Sequence, residues 1–494
     1  VLTEKQAIDK AKELLGTMKA EREVLDDIRR YWIGCQSLPR VIPRAAPAEV
    51  YAMARMSRVN VISIVMESLG QSLFVEGFRG KTDADNAPVW DIWQRNRLDA
   101  RQSGIHRASL AYGTGYATVL PGEPVPVIRG LSPRALHAVY SVDDPDWPVY
   151  ALERRADKTY RLLDETTVYT LSDLDSGKAV TLIGTAEHMA TEEGRPVTPV
   201  VRFREVEDLD LADDVSNDIA AALETYTEES TGLTITRSST RRVSAIGQVG
   251  PLMSIQDQVD VITFNLLVAM HFAAFRQRYI MGWTGPDEIE QLGLTGEELK
   301  KARREAVLSA SAARVWTFDD KDVEVGEFSE TSLEGYIKAR EASLRHAASL
   351  SQTPAHELIG ELVNLSAEAL AAAEAGRDRK VASRETMLGE SHEQMLRLAG
   401  SLAKIEVSPD AQMVWRNTSA RSFAATVDAL GKLSTMLGVP ASELWERIPG
   451  VSQQDVERWK AQAVQGDAFS QLTDVLNRQA NPGASAPPAV KAVA

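Results

Sequence analysis

The chain reads as a helix-rich α+β protein, and three features of its sequence predict this. Two helical patterns between Thr331 and Ile405 flank a short interruption rich in proline and glycine. From Tyr116 to about Arg204 apolar and polar residues alternate between turns rich in Gly, Pro and Asp, as in VYALERRA and TVYTLSDLDSG, which is the period of strands. A small unit at 279–330, with strand-like YIMGW, RVWTF and VEVGEF, is enclosed by two long helical stretches.

In chain order, Thr3 and Gln6 stand in capping-box spacing ahead of a charged helix that runs to about Ile33 and ends at Gly34. A connector spaced by Pro39, Pro43 and Pro47 leads into a mostly helical segment, Ala48 to Gly70. Leu73 to Gly77 is strand-like, 88–112 returns to helix, and the β-rich region follows. An acidic segment, Glu205 to Glu229, then precedes a basic patch at Arg237, Arg241 and Arg242. Residues 251–278 form a long apolar helix; within the next unit a capped helix begins at Thr295 with Glu298 in capping-box spacing. From Val407 to Arg478 the pattern gives one strand, QMVWR, and several short helices, and the Ala- and Pro-rich tail 479–494 reads as disordered.

In the first helix after 330, Leu333, Ile337, Leu344 and Ala348 recur at steps of four, seven and four and so share one side. SQTPAHELIGELVNL breaks the pattern, because Pro354 lacks an amide donor and Gly360 tolerates unusual backbone angles. A second helix restarts near Ser366, a suitable N-cap, with Glu368 in its first turn. Running to Lys404 it would measure roughly 58 Å at about 1.5 Å per residue. With so few large apolar residues, such a rod is not expected to bury itself inside one small domain and is better suited to lining up beside copies of itself.

Composition narrows the function. With 494 residues and 44% hydrophobic content the chain is long enough for several domains with real cores. Its net charge of −15 opposes a general grip on nucleic acid. The single cysteine, Cys35, excludes an internal disulfide and a Cys-rich zinc site and suits a reducing compartment. The longest apolar run, Val261 to Phe275, is interrupted by Asn265 and His271 and falls short of the ~20 residues of a membrane span. The first residues do not resemble an export signal.

The chemistry of catalysis is looked for without success, and no catalytic residue, metal site or cofactor is expected. There is no GxxxxGK[ST] loop, and the glycines of Gly113–Gly115 fit a tight turn into a strand rather than a dinucleotide fingerprint. His356 and Glu357 begin an HExxH pattern, but Gly360 occupies the place of its second histidine. The seven histidines are scattered, and packing or surface roles are expected for them. The cluster Lys300, Lys301, Arg303 and Arg304 reads either as a solvated helix face or as a docking surface. Arg377, Arg379, Lys380 and Arg384 read in the same two ways: as partners of acids such as Glu374 and Glu385 on the same or a neighbouring helix, or as a docking or nucleic-acid contact.

Five segments in this order carry a resemblance: YWIGCQSLP, NVISIVMESLGQSLFVEGFRG, AYGTGYATV, GQVGPLMSIQDQVDVITFN, and SQTPAHELIGELVNLSAEALAAAEAGRDRK. Together they resemble the portal (head-tail connector) proteins of tailed bacteriophages, those of actinobacterial phages in particular. The last is the most specific, since in that family a Pro-containing loop before a Ser-Ala/Gly-x-Ala-Leu helix start forms the tunnel loop, and Ser366 to Leu370 here read SAEAL.

The resemblance implies a subunit with wing, stem, clip and crown that assembles into a ring. It would place N-terminal helices and a β-rich wing at 1–250, stem helices at 251–278 and 331–350, an α/β clip at 279–330 and the tunnel loop at 351–365. A long helix with a wing strand would follow at 366–420, then a helical crown at 421–478. The acidic 205–229 segment departs from the family pattern. The implied function is a DNA channel at the unique capsid vertex, serving genome packaging, head-tail joining and DNA ejection. The implied partners are further copies of the chain, twelve in the usual ring, with double-stranded DNA, the terminase motor, a head-completion adaptor, and major capsid and scaffolding proteins, without a membrane. Assembly would take place in the host cytoplasm and the product would reside in the virion. On this reading Gln352, Thr353, Pro354, His356, Glu357 and Asn364 line the channel, and Lys300, Lys301, Arg303 and Arg304 dock terminase or adaptor. Twelve copies at −15 each would sum to about −180, which lets DNA slide rather than stick. The alternative is a helical ring or scaffold protein of virion assembly without a DNA channel.

Overall fold

The computed structural model describes residues 1–39, 42, 46–80, 83–141, 144–204, 226–228, 233–235, 247–274, 278–281, 297, 324–327, 332–360, 367–416, 423–448, 451, 455–456 and 458–463. The capping box forms as its spacing predicts: Gln6 N–H donates to Thr3 Oγ1 and Thr3 N–H to Gln6 Oε1 at the start of α1 (Glu4–Trp32). α1 serves two cores. Ala7, Ala11, Leu14, Leu15 and Met18 cover Leu152, Tyr160, Leu162, Tyr169 and Leu171 of the large sheet, while Leu25 and Ile28 enter the main core.

The segment 48–70 is two helices, α2 (Ala48–Met56) and α3 (Val61–Ser72), because Asn60 accepts Ser63 N–H and caps a new start. β1 (Val75–Arg79) follows. The predicted helix at 88–112 is also two, α4 (Asp83–Arg95) and α5 (Leu98–Tyr112). Arg97 takes a left-handed φ of 54°, and buried Asn96 donates to the Ile92 and Pro126 carbonyls, fixing the corner. Gly113, at φ 81°, ends α5 and turns the chain directly into β2 (Thr114–Leu120), as the sequence suggests.

The β-rich region holds two antiparallel sheets. A meander of β4 (Leu136–Tyr140), β5 (Pro148–Arg154), β6 (Tyr160–Leu163), β7 (Thr167–Ser172) and β8 (Thr181–Glu187) pairs in sequence order. The second orders β11 (Val200–Arg204), β2 and β3 (Val127–Leu131), with Val200 opposite Thr118 and Arg204 opposite Thr114. Short pairs β9 (Thr191–Glu192) with β10 (Arg195–Pro196), and β12 (Tyr226–Glu228) with β13 (Leu233–Ile235), complete it.

α6 (Val249–Ala274) leaves this body and β14 (Arg278–Met281) continues it; β15 (Glu324–Glu327) pairs antiparallel with β14, and α7 (Glu334–Ser351) returns against α6. RVWTF, the helix capped by Thr295, Lys300, Lys301, Arg303, Arg304, Asn364, Ser366 and the tail 479–494 lie outside the described residues. α8 (Ala355–Ile359) and α9 (Ala367–Ala403) follow, then β16 (Gln412–Trp415), α10 (Phe423–Leu437), α11 (Ala441–Leu444) and a single 3₁₀ turn, Trp445–Arg447. β16 pairs with β1, Phe78 opposite Met413, joining strands far apart in sequence.

Against the expectation that the long helix cannot bury itself inside one small domain, its second half is buried against its own chain. Leu388, Ser391, His392, Met395, Leu396, Leu398 and Ala399 of α9 are buried, and the helix packs on β2, β9, β11 and β16. Leu388, Met395, Leu396 and Leu398 supply the apolar contacts of that half, and Ser391, His392 and Ala399 fit between them. In α7, Leu344 and Ala348 are buried but Ile337 is 48% exposed, because the first half of the helix extends beyond the core.

Candidate functional site

The described part of the interruption between α7 and α9, residues 352–360, is held by hydrogen bonds, a buried leucine and an ion pair. α7 ends where Gln352 adopts φ 55°, ψ 28°, and its N–H caps toward the Ala348 and Ser349 carbonyls. Thr353 is 4% exposed: its N–H donates to Ala348 O at 3.0 Å, and its hydroxyl accepts from Ser351 Oγ at 3.0 Å. Pro354, φ −56°, opens α8, where its missing amide costs nothing, and Gly360 at φ 78° closes it with its N–H on His356 O. Leu358 is buried in the main core, so the short helix is anchored and not suspended.

Two cations of α9 hold this segment. Arg377 Nη1 meets Glu357 Oε1 at 2.7 Å, and Arg377 Nη2 meets Glu374 Oε2 at 3.6 Å. Lys380, nine-tenths buried, donates its ammonium to the Ser351 carbonyl at 2.8 Å and to Gln248 Oε1. Ser351 ends α7 and Gln248 precedes α6, so the pair is antiparallel and Lys380 ties both ends to α9. A cation suits the α7 terminus, where the last carbonyls have no partner within the helix.

Beyond Lys380 the same face of α9 opens into a cleft of about 700 Å³, lined by Gln352, Thr353, Gly376, Arg379, Ser383 and Arg384 among others. No acid lines it among the described residues. Those residues also include no group of three or more His, Cys, Asp or Glu that could hold a metal, and no helix long and apolar enough to cross a membrane.

Within its first half α6 is stitched to the core by Gln256 and Asp260, one turn apart. Asp260 accepts from Gln36 Nε2 at 2.7 Å, Gln256 Nε2 at 2.8 Å and Val59 N at 3.3 Å, while Gln256 Oε1 accepts Val61 N–H at 3.0 Å. Burial pushes the Asp260 carboxyl up, and its three donors pull it back. Further along, Leu266, Leu267 and Val268 of α6 are half-buried and Met270 is 47% exposed.

A family description of phage portal proteins, SPP1 Gp6-like, matches residues 10–467. The chain belongs to that family of portal proteins. It is 25% identical over 413 residues to the portal protein of Mycobacterium phage L5, covering 80% of this chain and 76% of that one. To the portal protein of Mycobacterium phage D29 it is 24% identical over 447 residues, covering 85% and 82%. Among solved structures it is similar to a chain in the virion of a native gene transfer agent particle, at TM-score 0.46 and 12% identity, over 86% of this chain and 99% of that one. A chain in the neck of an empty particle of the same kind, computed with C6 symmetry, gives TM-score 0.45 and 15% identity over 82% and 94%.

In this portal protein Gln352 is exposed and His356 half-buried, whereas Thr353 and Pro354 are buried and Glu357 is ion-paired. Of the expected acid partners, Glu374 does meet Arg377; Glu385 is pushed up to about 6 by burial. Sequence reasoning missed Lys380 and Gln248 as the fastening pair. The one available signal was a lone lysine within an Ala-rich helix, and its partner lies 132 residues away.

Proposed function

We propose that twelve copies of this portal protein close into a ring around a DNA channel, with α6 and α7 as the stem, the α/β unit at 279–330 as the clip, 351–365 as the tunnel loop, and α10 with the residues to 478 as the crown. The observation that carries this reading is the half-buried apolar run Leu266–Val268 with exposed Met270, which a single subunit buries only in part and a neighbouring stem would bury further. Ile337, 48% exposed, and Leu350, 60% exposed, extend that surface along α7.

Within the loop, Gln352, His356 and Asn364 approach DNA, while Thr353, Pro354 and Glu357 fasten the loop so that it keeps its position as DNA passes. Lys300, Lys301, Arg303 and Arg304 meet terminase during packaging and the head-completion adaptor afterwards. The ring sits at the capsid vertex of the virion after assembly with capsid and scaffolding proteins in the host cytoplasm, and it carries out no catalysis itself.

Deleting 352–360 tests the loop assignment. Negative-stain projections should still show rings with a central hole wide enough for duplex DNA, whereas packaging or retention of DNA should fall. Normal packaging by the deletion would remove the loop from the mechanism, and a compact oligomer without a hole would remove the channel.

A further inference from the structure

We infer that the outer edge of β8 is a docking strand, which takes an extended segment with a basic end from a partner protein as one more strand of the meander. A bare strand edge carries unpaired N–H and C=O groups and invites pairing, so folds cover or block it. Among the described residues this chain blocks the edges of its core strands with helix side chains. Gln102 of α5 accepts the Val75 amide of β1 and donates to the Val75 carbonyl, and Glu393 of α9 accepts Met413 N–H of β16. Asn96 accepts Ile128 N–H of β3, and Ser391 donates to the Arg202 carbonyl of β11. β4, at the opposite edge of the meander, is buried at Leu136, His137 and Ala138.

β8 has none of this. No side chain among the described residues bonds to its backbone. Thr181, Ile183 and every residue from Gly184 to Glu187 are exposed, so both faces of the strand are open. The stretch 179–186, AVTLIGTA, has no charge and no proline, the usual protection of an edge. A bulge at Ile183, between the Thr170–Gly184 and Leu171–Leu182 pairs, leaves Gly184–Glu187 as the regular run. His188 N–H donates inward to Thr166 O at 2.9 Å, so by alternation along the strand Thr185 and Glu187 turn their N–H and C=O outward.

Charge selects the occupant. Glu187, and Glu165 beside Thr166, are exposed carboxylates without a partner among the described residues, and both stand at one end of the neutral run. A strand with Lys or Arg at that end satisfies them; backbone pairing supplies the affinity and the carboxylates set the direction. A second copy of this chain fits poorly, because its core edges are blocked and its own β8 brings another Glu187 rather than a cation.

The test uses the full-length protein and a synthetic peptide of about ten residues that alternates Thr and Val and ends in two lysines. Its controls are the same peptide ending in two glutamates and the lysine peptide with alternate amides N-methylated. The lysine peptide should slow amide exchange across 181–188 about tenfold and leave β5 and β6 unchanged. By fluorescence anisotropy at about 50 mM salt it should bind about tenfold more tightly than the glutamate peptide, and the N-methylated peptide should not bind. T185P removes an outward amide that β7 does not use, so the hairpin should survive and binding should be lost. E165Q/E187Q leaves the backbone untouched and should make the two charged peptides bind alike, which keeps the test available should the proline disturb the fold.

Absence of protection by the lysine peptide at about 1 mM, or equal binding of its N-methylated form, would overturn the assignment. So would slow exchange of 184–187 in the protein alone, because the edge would then be filled already: by a second copy if dilution frees it, by this chain itself if dilution does not. The inference does not depend on the channel reading, and its failure would leave that reading in place.

Discussion

His106 Nε2 and His392 Nε2 lie 2.8 Å apart in the core, 286 residues apart in sequence. Their tautomers follow from one neighbour. The Leu73 carbonyl, 3.1 Å from His106 Nδ1, can only accept, so His106 carries its proton on Nδ1 and its Nε2 accepts from His392 Nε2–H. That leaves His392 Nδ1 as a buried acceptor without a partner among the described residues. Trp93, Phe203 and Trp415 ring the pair, with the His392 centroid 5.2 Å from Trp93 and 4.7 Å from Phe203. A cationic form is disfavoured because an added proton would either break the Nε2–H to Nε2 bond or place a charge at His392 Nδ1, fully buried with no partner among the described residues.

Acid should therefore destabilise the fold through this pair. Burial lowers His106 to about 4, and burial followed by the charge of His106 lowers His392 well below the ordinary value. The unfolded chain takes up protons as pH falls below about 6.5, while the folded chain does not until about 4. Stability is fully present above the upper value and lost progressively across that window, by roughly 3 kcal/mol for His106 alone. Glu385 acts in the opposite sense, since its carboxyl is pushed up to about 6 by burial and binds a proton more readily in the fold. Thermal melts of wild type and H106L/H392L from pH 7 to 4.5 separate the two, and the double variant should lose most of the acid-dependent fall in Tm.

The stitch between α6 and the core should be sensitive to polar deletion. D260A would strip partners from Gln36, Gln256 and the Val59 amide, costing about 2–4 kcal/mol. D260N, which keeps one acceptor oxygen, should cost less. Urea unfolding at constant m-value would order the two, and equal losses would show that shape rather than hydrogen bonding dominates.

Lys380 offers a test of how the loop is fastened. K380M preserves most of the stem length of the side chain but removes the donor from the Ser351 carbonyl and Gln248 Oε1, at an expected cost of about 1–3 kcal/mol. Proteolysis between 351 and 360 should accelerate in K380M before global stability is lost. For Glu357 and Arg377, the single variant E357R should release the loop and E357R/R377E should restore it in part, as recovered protease resistance.

Gly247 is fixed by space rather than by backbone angle. A Cβ there would land on the Ala111 carbonyl and the Gly113 amide, both backbone and unable to swing away. G247A should cost about 1–3 kcal/mol, the range of overpacked cores. Circular dichroism melts would check it, and G250A, with nothing near its would-be Cβ, serves as the neutral control.

Periodicity and capping chemistry, which act within a few residues, are what the sequence by itself determined here. The capping box at Thr3 and Gln6, the strand alternation from Tyr116 to Arg204, the turn at Gly113 and the helix-loop-helix order around Pro354 are all local, and the family segments preserve that order. Splits at Asn60 and Asn96 were harder to read, because a polar residue inside an apolar pattern resembles a surface position until its carbonyl or amide partners are known. Only the tertiary structure decided which stretch of α9 is buried, that β16 pairs with β1, that two scattered histidines are joined by a hydrogen bond, and that Lys380 binds Ser351 and Gln248. Each joins residues tens to hundreds of positions apart, and the free energy of such a contact depends on what the rest of the chain has excluded from around it. A one-dimensional pattern does not carry that information.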